Sequence, residues 1–152
     1  MTDTATPLHI LTPTSFETWA GAAPTAQVTW AHANGFAGAL GQRVVVPNQD
    51  GSPAAVLIGW GAGDVRTRGR FHLAAHANAL PGGQYALDDI PDDFDRDSEG
   101  LGWALSAYRF DRYRTQSKPQ ASLTDFDASP RLQAIAAGAT LAQSLIDTPA
   151  SD

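Results

Sequence analysis

The sequence predicts one α/β domain, a three-layer α/β/α sandwich in which a mixed central sheet lies between helices. Three observations carry this. The chain has 152 residues, the size of a single domain that buries roughly 70% of the surface its unfolded form exposes. Short β-branched runs alternate with segments of helical spacing. The runs Val44-Val45-Val46 and Val56-Leu57-Ile58 are continuously apolar. Strands of that kind need cover on both faces, and helices must supply it.

The elements follow in order. Leu8 to Leu11 reads as a strand ended by Thr12-Pro13. Thr14 or Ser15 can cap a short helix through Trp19 and Ala20. Ala22 to Ala33 reads as a helix with Pro24 near its first turn and Asn34-Gly35 at its end. Val28 and Ala31 share its inner face, and Trp30 points away. Arg43–Pro47 and Ala54–Trp60 are strands joined by the turn cluster Asn48-Gln49-Asp50-Gly51-Ser52-Pro53, which suggests a hairpin.

Arg68 to Leu80 reads as a helix with Phe71, Ala75 and Ala79 on one side, stopped by Pro81-Gly82-Gly83. Tyr85 to Leu87 is a short strand, followed by an acidic loop from Asp88 to Glu99. Leu101 to Arg114 reads as a helix. Trp103, Ala107 and Phe110 form one stripe, and Leu101, Leu105 and Tyr108 the next. The acids before it and Arg109, Arg112 and Arg114 near its end suit the helix dipole. Ala121 to Phe126 is a strand. Ser129 caps a last helix with Pro130 at its first position. Its apolar stripe is Leu132, Ile135, Ala139, Ala142 and Ile146, and Thr148-Pro149 ends it.

Composition narrows the function classes. There is no cysteine, which excludes disulfide frameworks, thiolate metal sites and cysteine nucleophiles. Ten basic residues against sixteen acidic ones give a formal charge of -6, and such a surface repels phosphate backbones. No apolar run approaches the ~20 residues that span a bilayer. The first residues show no basic segment followed by an apolar one. The expectation is a cytoplasmic protein that engages neither nucleic acid nor membrane.

The groups that could do chemistry are few. His72 and His76 stand at i and i+4, a spacing that can place two imidazoles on one metal. The metalloprotease version needs Glu after the first His, where Leu73 stands, so the two are expected to be ordinary helix histidines. Asp93, Asp95 and Asp97 alternate as the first ligands of a calcium loop do. That loop needs Gly and Glu at its sixth and twelfth positions, which Ser98 and Ala104 occupy. The acids are expected to be solvated and to feed a helix N-terminus. Gly59, Gly61 and Gly63 follow a strand, but Asp64 stands where a dinucleotide loop has its third glycine and would repel a pyrophosphate. A tight exit from the strand is expected. Arg66, Arg68 and Arg70 make a basic loop, and Arg109 to Arg114 interleaves arginines with aromatics, as single-strand binders do. With Phe110 on the core stripe, pairing with the acidic loop or a partner surface is expected instead.

One segment is more specific. Leu101-Gly102-Trp103-Ala104-Leu105-Ser106-Ala107-Tyr108-Arg109-Phe110-Asp111-Arg112-Tyr113 resembles the helix near the end of the N-terminal domain in the leucyl aminopeptidase (cytosol aminopeptidase) family. Leu145-Ile146-Asp147-Thr148-Pro149-Ala150 resembles that family's link to its catalytic domain, although Gln143, Ser144 and Asp147 replace its usual Arg, Asp and Asn. Ala55 to Gly61 resembles a strand of the same N-terminal domain.

The resemblance implies a domain similar in fold to macro domains, spanning residues 1–147, with residues 148–152 beginning the link. It implies a parent hydrolase that removes N-terminal residues from peptides. The parent's two divalent metals, zinc or manganese, would lie in a C-terminal domain beyond the link. The expected partners are that domain and neighbouring subunits of a hexamer. This chain is then expected to hold no catalytic, cofactor-binding or metal residue. The alternative is a stand-alone macro-like module that binds ADP-ribose or a related nucleotide at the Gly59–Asp64 loop.

Overall fold

The computed structural model describes residues 4–68, 72–77, 79–106, 121–124 and 130–147. Five strands form one mixed sheet in the order β2-β3-β1-β4-β5. They are β1 (Thr6–Leu11), β2 (Arg43–Pro47), β3 (Pro53–Gly59), β4 (Gly83–Leu87) and β5 (Ala121–Leu123). Strand β1 is central and parallel to both neighbours, pairing Ile10 with Ile58 and Leu8 with Leu87. Only the hairpin strand β2 runs antiparallel.

Both faces of the sheet are covered, as the continuous apolar runs require. Leu8, Ile10, Val56, Ile58, Tyr85 and Leu87 fill one side with Leu73, Leu80 and Phe94. Leu11, Val44, Val46, Ala55 and Leu57 fill the other with Phe16, Trp19, Ala31 and Phe36. Helices α1 (Pro13–Ala22) and α2 (Thr25–Ala33) cover the second side. Helices α3 (Ala74–Ala77) and α4 (Arg96–Ser106) lie on the first, and α5 (Pro130–Asp147) adjoins α4. The three-layer α/β expectation therefore holds.

Several boundaries moved. The cap of α1 is Thr12, not Thr14 or Ser15. Thr12 Oγ1 accepts from the Ser15 amide at 3.1 Å, and Ser15 Oγ accepts from the Thr12 amide at 2.8 Å. Pro13 opens the helix at its first position, where a missing N–H costs nothing. The segment Ala22–Ala33 is not one helix. Ala23 precedes Pro24 and is extended, with ψ 158, because the proline ring bars the α region to the residue before it. Helix α1 stops there, and α2 starts at Thr25. On α2, Ala31 is buried and Trp30 faces outward.

The helix expected over Arg68–Leu80 is a single turn, preceded by a 3₁₀ segment, Gly63–Arg68. Its buried residues are Leu73, His76, Ala77 and Leu80, while Ala75 and Ala79 are exposed. The Leu73 amide donates to the Glu99 carboxylate at 2.9 Å instead of continuing a helical ladder. Helix α4 begins at Arg96, five residues before Leu101, and absorbs the end of the acidic loop. Asp95 is the cap, accepting from the Asp97 and Ser98 amides. The expected aromatic-and-arginine continuation from Ala107 to Arg114, the strand end through Phe126, the Ser129 cap and the Thr148-Pro149 stop lie outside the described residues.

Two glycines at the end of β3 fix how closely the loops approach. A Cβ on Gly59 would sit 1.8 Å from the Ala39 carbonyl oxygen. Gly61 has φ +65, a conformation that side chains disfavour. Replacing Gly59 with Ala should therefore destabilise the fold by about 3 kcal/mol through forced backbone displacement. Chemical denaturation of the variant checks this, and Gly21→Ala, where nothing lies within 4 Å of the added atom, should cost little.

Candidate functional site

Most of the groups with chemical potential are engaged in the architecture. Arg66 folds inward from the 3₁₀ segment. Its guanidinium donates to the Trp60 and Gly61 carbonyls at 2.9 and 2.8 Å and lies 4.8 Å from the Trp60 ring centroid. It also pairs with Asp93, whose second oxygen accepts from Trp60 Nε1 at 3.2 Å. Burial pushes the Arg66 guanidinium below its usual range, and Asp64 opposes the shift. Phe94 and His72 press against the same indole, with ring centroids 5.1 and 5.7 Å away. One planar cation thus ties the end of β3 to the β4–α4 loop, a task suited to the forked donor set of arginine.

The His72/His76 pair does not converge. His72 packs edge-on against Trp60, while His76 is 4% exposed and its Nδ1 lies 3.2 Å from Arg43 Nη1. Arginine can only donate, so Nδ1 accepts and the imidazole is neutral with its proton on Nε2. Burial and the Arg43 charge lower the His76 pKa to about 4.

The alternating acids also part company. Asp93 holds Arg66, Asp95 caps α4, and Asp97 stands in the first turn of α4. The glycine loop is the tight strand exit that the sequence suggested, closed by Gly38, Ala39 and Leu40. Arg66 pairs with Asp93 of the acidic stretch, the first of the two expected roles, and Arg70 and Arg109 to Arg114 lie outside the described residues.

Sequence reasoning missed one grouping. His9 on β1 and Asp88 and Asp89 just past β4 bring ligand atoms within 4.8 Å of one another. His9 Nδ1 lies 2.9 Å from Asp89 Oδ2. The residues are 80 positions apart, so no local spacing could reveal them. The parallel pairing of β1 with β4 brings them together, extended by Asp88 N donating to Leu8 O and Ile10 N to Asp89 O. Asp89 also borders a cavity of about 720 Å³ between α1 and the β4–α4 loop.

Two outcomes follow from this geometry. The neutral His76 makes stability depend on pH. Its folded pKa lies below the unfolded value near 6.5, so the unfolded chain takes up the proton first. The contribution is complete above pH 6.5 and is lost as pH falls toward 4. Allowing for solvent screening, urea titrations should show about 1–2 kcal/mol lost across that window, and His76→Gln should flatten it. Arg66→Ala should destabilise by about 2 kcal/mol, and Arg66→Lys should recover only part of this because an ammonium lacks the fork. Thermal unfolding of both variants checks the order.

Comparison with known proteins places this architecture. The model of the M17 aminopeptidase N-terminal domain matches residues 6–125. The cytosol aminopeptidase of Coxiella burnetii superposes with a TM-score of 0.81 at 25% identity, over 100% of this chain and 33% of that one. A tomato leucine aminopeptidase mutant superposes at 0.62 and 17% identity, over 96% and 36%. Among curated proteins no match is found. The chain thus spans about a third of the length of these solved structures. With most of its length covered by the family match, this chain belongs to the M17 aminopeptidase family as an N-terminal domain.

Proposed function

We propose that residues 1–147 serve as the non-catalytic structural and regulatory domain of a leucyl-type aminopeptidase, and that residues 148–152 begin the link to its catalytic domain. The parent would remove N-terminal residues from peptides, with two divalent metals activating water and polarising the carbonyl. The observation that carries this is the pairing of a family match over residues 6–125 with a structural match covering only 33% of the Coxiella chain.

The described residues do not fit a two-metal centre. Among the described residues a single group of three donors exists, His9, Asp88 and Asp89. Two ions a few ångströms apart need more ligands, some of them shared. Asp93, Glu99 and His76 are committed to Arg66, the Leu73 amide and Arg43. Hence no catalytic step is assigned to this chain.

Helix α5 supports a covering partner. It lies beyond the family match, yet within the region shared with the Coxiella enzyme. Leu145 and Ile146 on it are 67% and 81% exposed, and Leu141 is also exposed. Apolar residues grouped on one helix suit an interface better than water. The remainder of such a chain is the natural cover, with further copies in a hexamer beyond it. No helix among the described residues is long and apolar enough to cross a membrane, which suits a cytoplasmic enzyme.

The macro-like nucleotide-binding alternative finds less support, because the Gly59–Gly61 exit is filled by Ala39 and Leu40 and the nearby cavity is bordered by acids. Two measurements test the reading. The 152-residue chain, assayed with leucine p-nitroanilide and added manganese or zinc, should show no turnover. Its coding sequence should continue past Asp152 into a segment rich in metal ligands. Cleavage by this chain alone, or a stop codon directly after Asp152, would overturn the proposal.

A further inference from the structure

We infer that the cavity at the C-terminal ends of β1 and β4 binds a small organic cation, an ammonium or guanidinium group carried on an apolar body. The inference is independent of the aminopeptidase reading, since it concerns this domain alone.

Topology comes first. The chain leaves β1 toward α1 on one face of the sheet and leaves β4 toward α4 on the other. A crevice opens where neighbouring parallel strands diverge in this way, and ligands of open α/β sheets settle there. The cavity occupies that place, with a volume of about 720 Å³, inside the range of roughly 300–1,000 Å³ typical of small-molecule sites.

Lining chemistry then selects the ligand. Trp19, Leu11 and Ile90 supply an apolar wall, and Thr18 and Gln27 supply polar groups. Two carboxylates, Asp89 and Asp92, border the space, and none of the lining residues is Lys or Arg. An anion such as a pyrophosphate would face repulsion without compensation. A cation would be attracted, and its apolar part could rest on the indole. The Asp89 carboxylate is oriented rather than free to swing, because the buried His9 ring holds Oδ2 at 2.9 Å. Asp88 adds a further acid within 4.8 Å of this pair. The site is therefore built from two separate stretches, around His9–Gln27 on one side and Asp88–Asp92 on the other, meeting only in the fold.

The test uses calorimetry on the 152-residue chain with leucinamide as probe, together with amide and indole NMR shifts. Saturable binding in the millimolar range or tighter is expected, with shifts at Trp19. Asp89→Asn and Asp92→Asn should each weaken it about tenfold. Because Asp89→Asn also removes a partner of His9, Thr18→Trp provides a second variant, placing a bulky group at an exposed lining position. It should abolish binding while leaving the thermal midpoint nearly unchanged. Putrescine is the comparison cation. Tighter leucinamide binding assigns the site to amino-acid or peptide termini, and tighter putrescine binding to polyamines. Absence of saturable binding by either cation, equal affinity for neutral N-acetylleucinamide, or binding of manganese ions alone would each overturn the inference.

Discussion

Strands β1 and β3 carry apolar side chains on both faces, and neither face can be left in water. Leu8 and Ile10 point to one side of β1 and Leu11 to the other, and Val56 and Ile58 oppose Leu57 on β3. Burying each such side chain stabilises by about 1.5–3 kcal/mol. This demand sets the layer order. Helices must lie on both sides, so the connections after β1 and after β4 leave in opposite directions. The crevice beside Asp89 is a geometric consequence of that divergence.

Covering the sheet leaves polar ends to satisfy, and the molecule does so economically. Where β3 ends, backbone carbonyls and an indole N–H need partners in a largely dry setting. Arg66 and Asp93 answer both needs at once, joined by the packing of Trp60 against Phe94. Glu99, only 5% exposed, accepts the Leu73 amide in the same region. Among the described residues no buried side-chain polar atom lacks a partner. Charged residues in a hydrolase family invite catalytic readings, yet here their geometry is that of fasteners. A carboxylate already committed to a guanidinium is poorly placed to activate water.

The early and late elements of the described fold differ in how fully their apolar side chains are buried. From β1 through β4 the core is closed, with large side chains such as Phe16, Leu57 and Tyr85 almost wholly buried. Helix α5 meets α4 but turns leucines and isoleucines outward. That asymmetry parallels the family match, which ends at residue 125. The core from β1 through β4 is closed, while the last helix keeps Leu141, Leu145 and Ile146 exposed.

What could be read from the residues alone was governed by short-range chemistry. The hairpin, the need for cover on both faces, the outward Trp30 and the tight glycine exit all follow from neighbours within a few positions. The aromatic segment from Leu101 carried the family. Errors arose where local rules competed. Thr14 and Ser15 suit a cap by residue type, but Pro13 stands inside the helix and the cap is Thr12, which the sequence reads as the end of the strand. The pattern through His72 and His76 looked helical until a distant Glu99 took the Leu73 amide. The Asp88–Glu99 stretch looked like a loop because a buried carboxylate is improbable without a known partner. The grouping of His9 with Asp88 and Asp89 had no local signature at all. Parallel pairing joins residues separated by whole elements, and only the folded sheet sets their register.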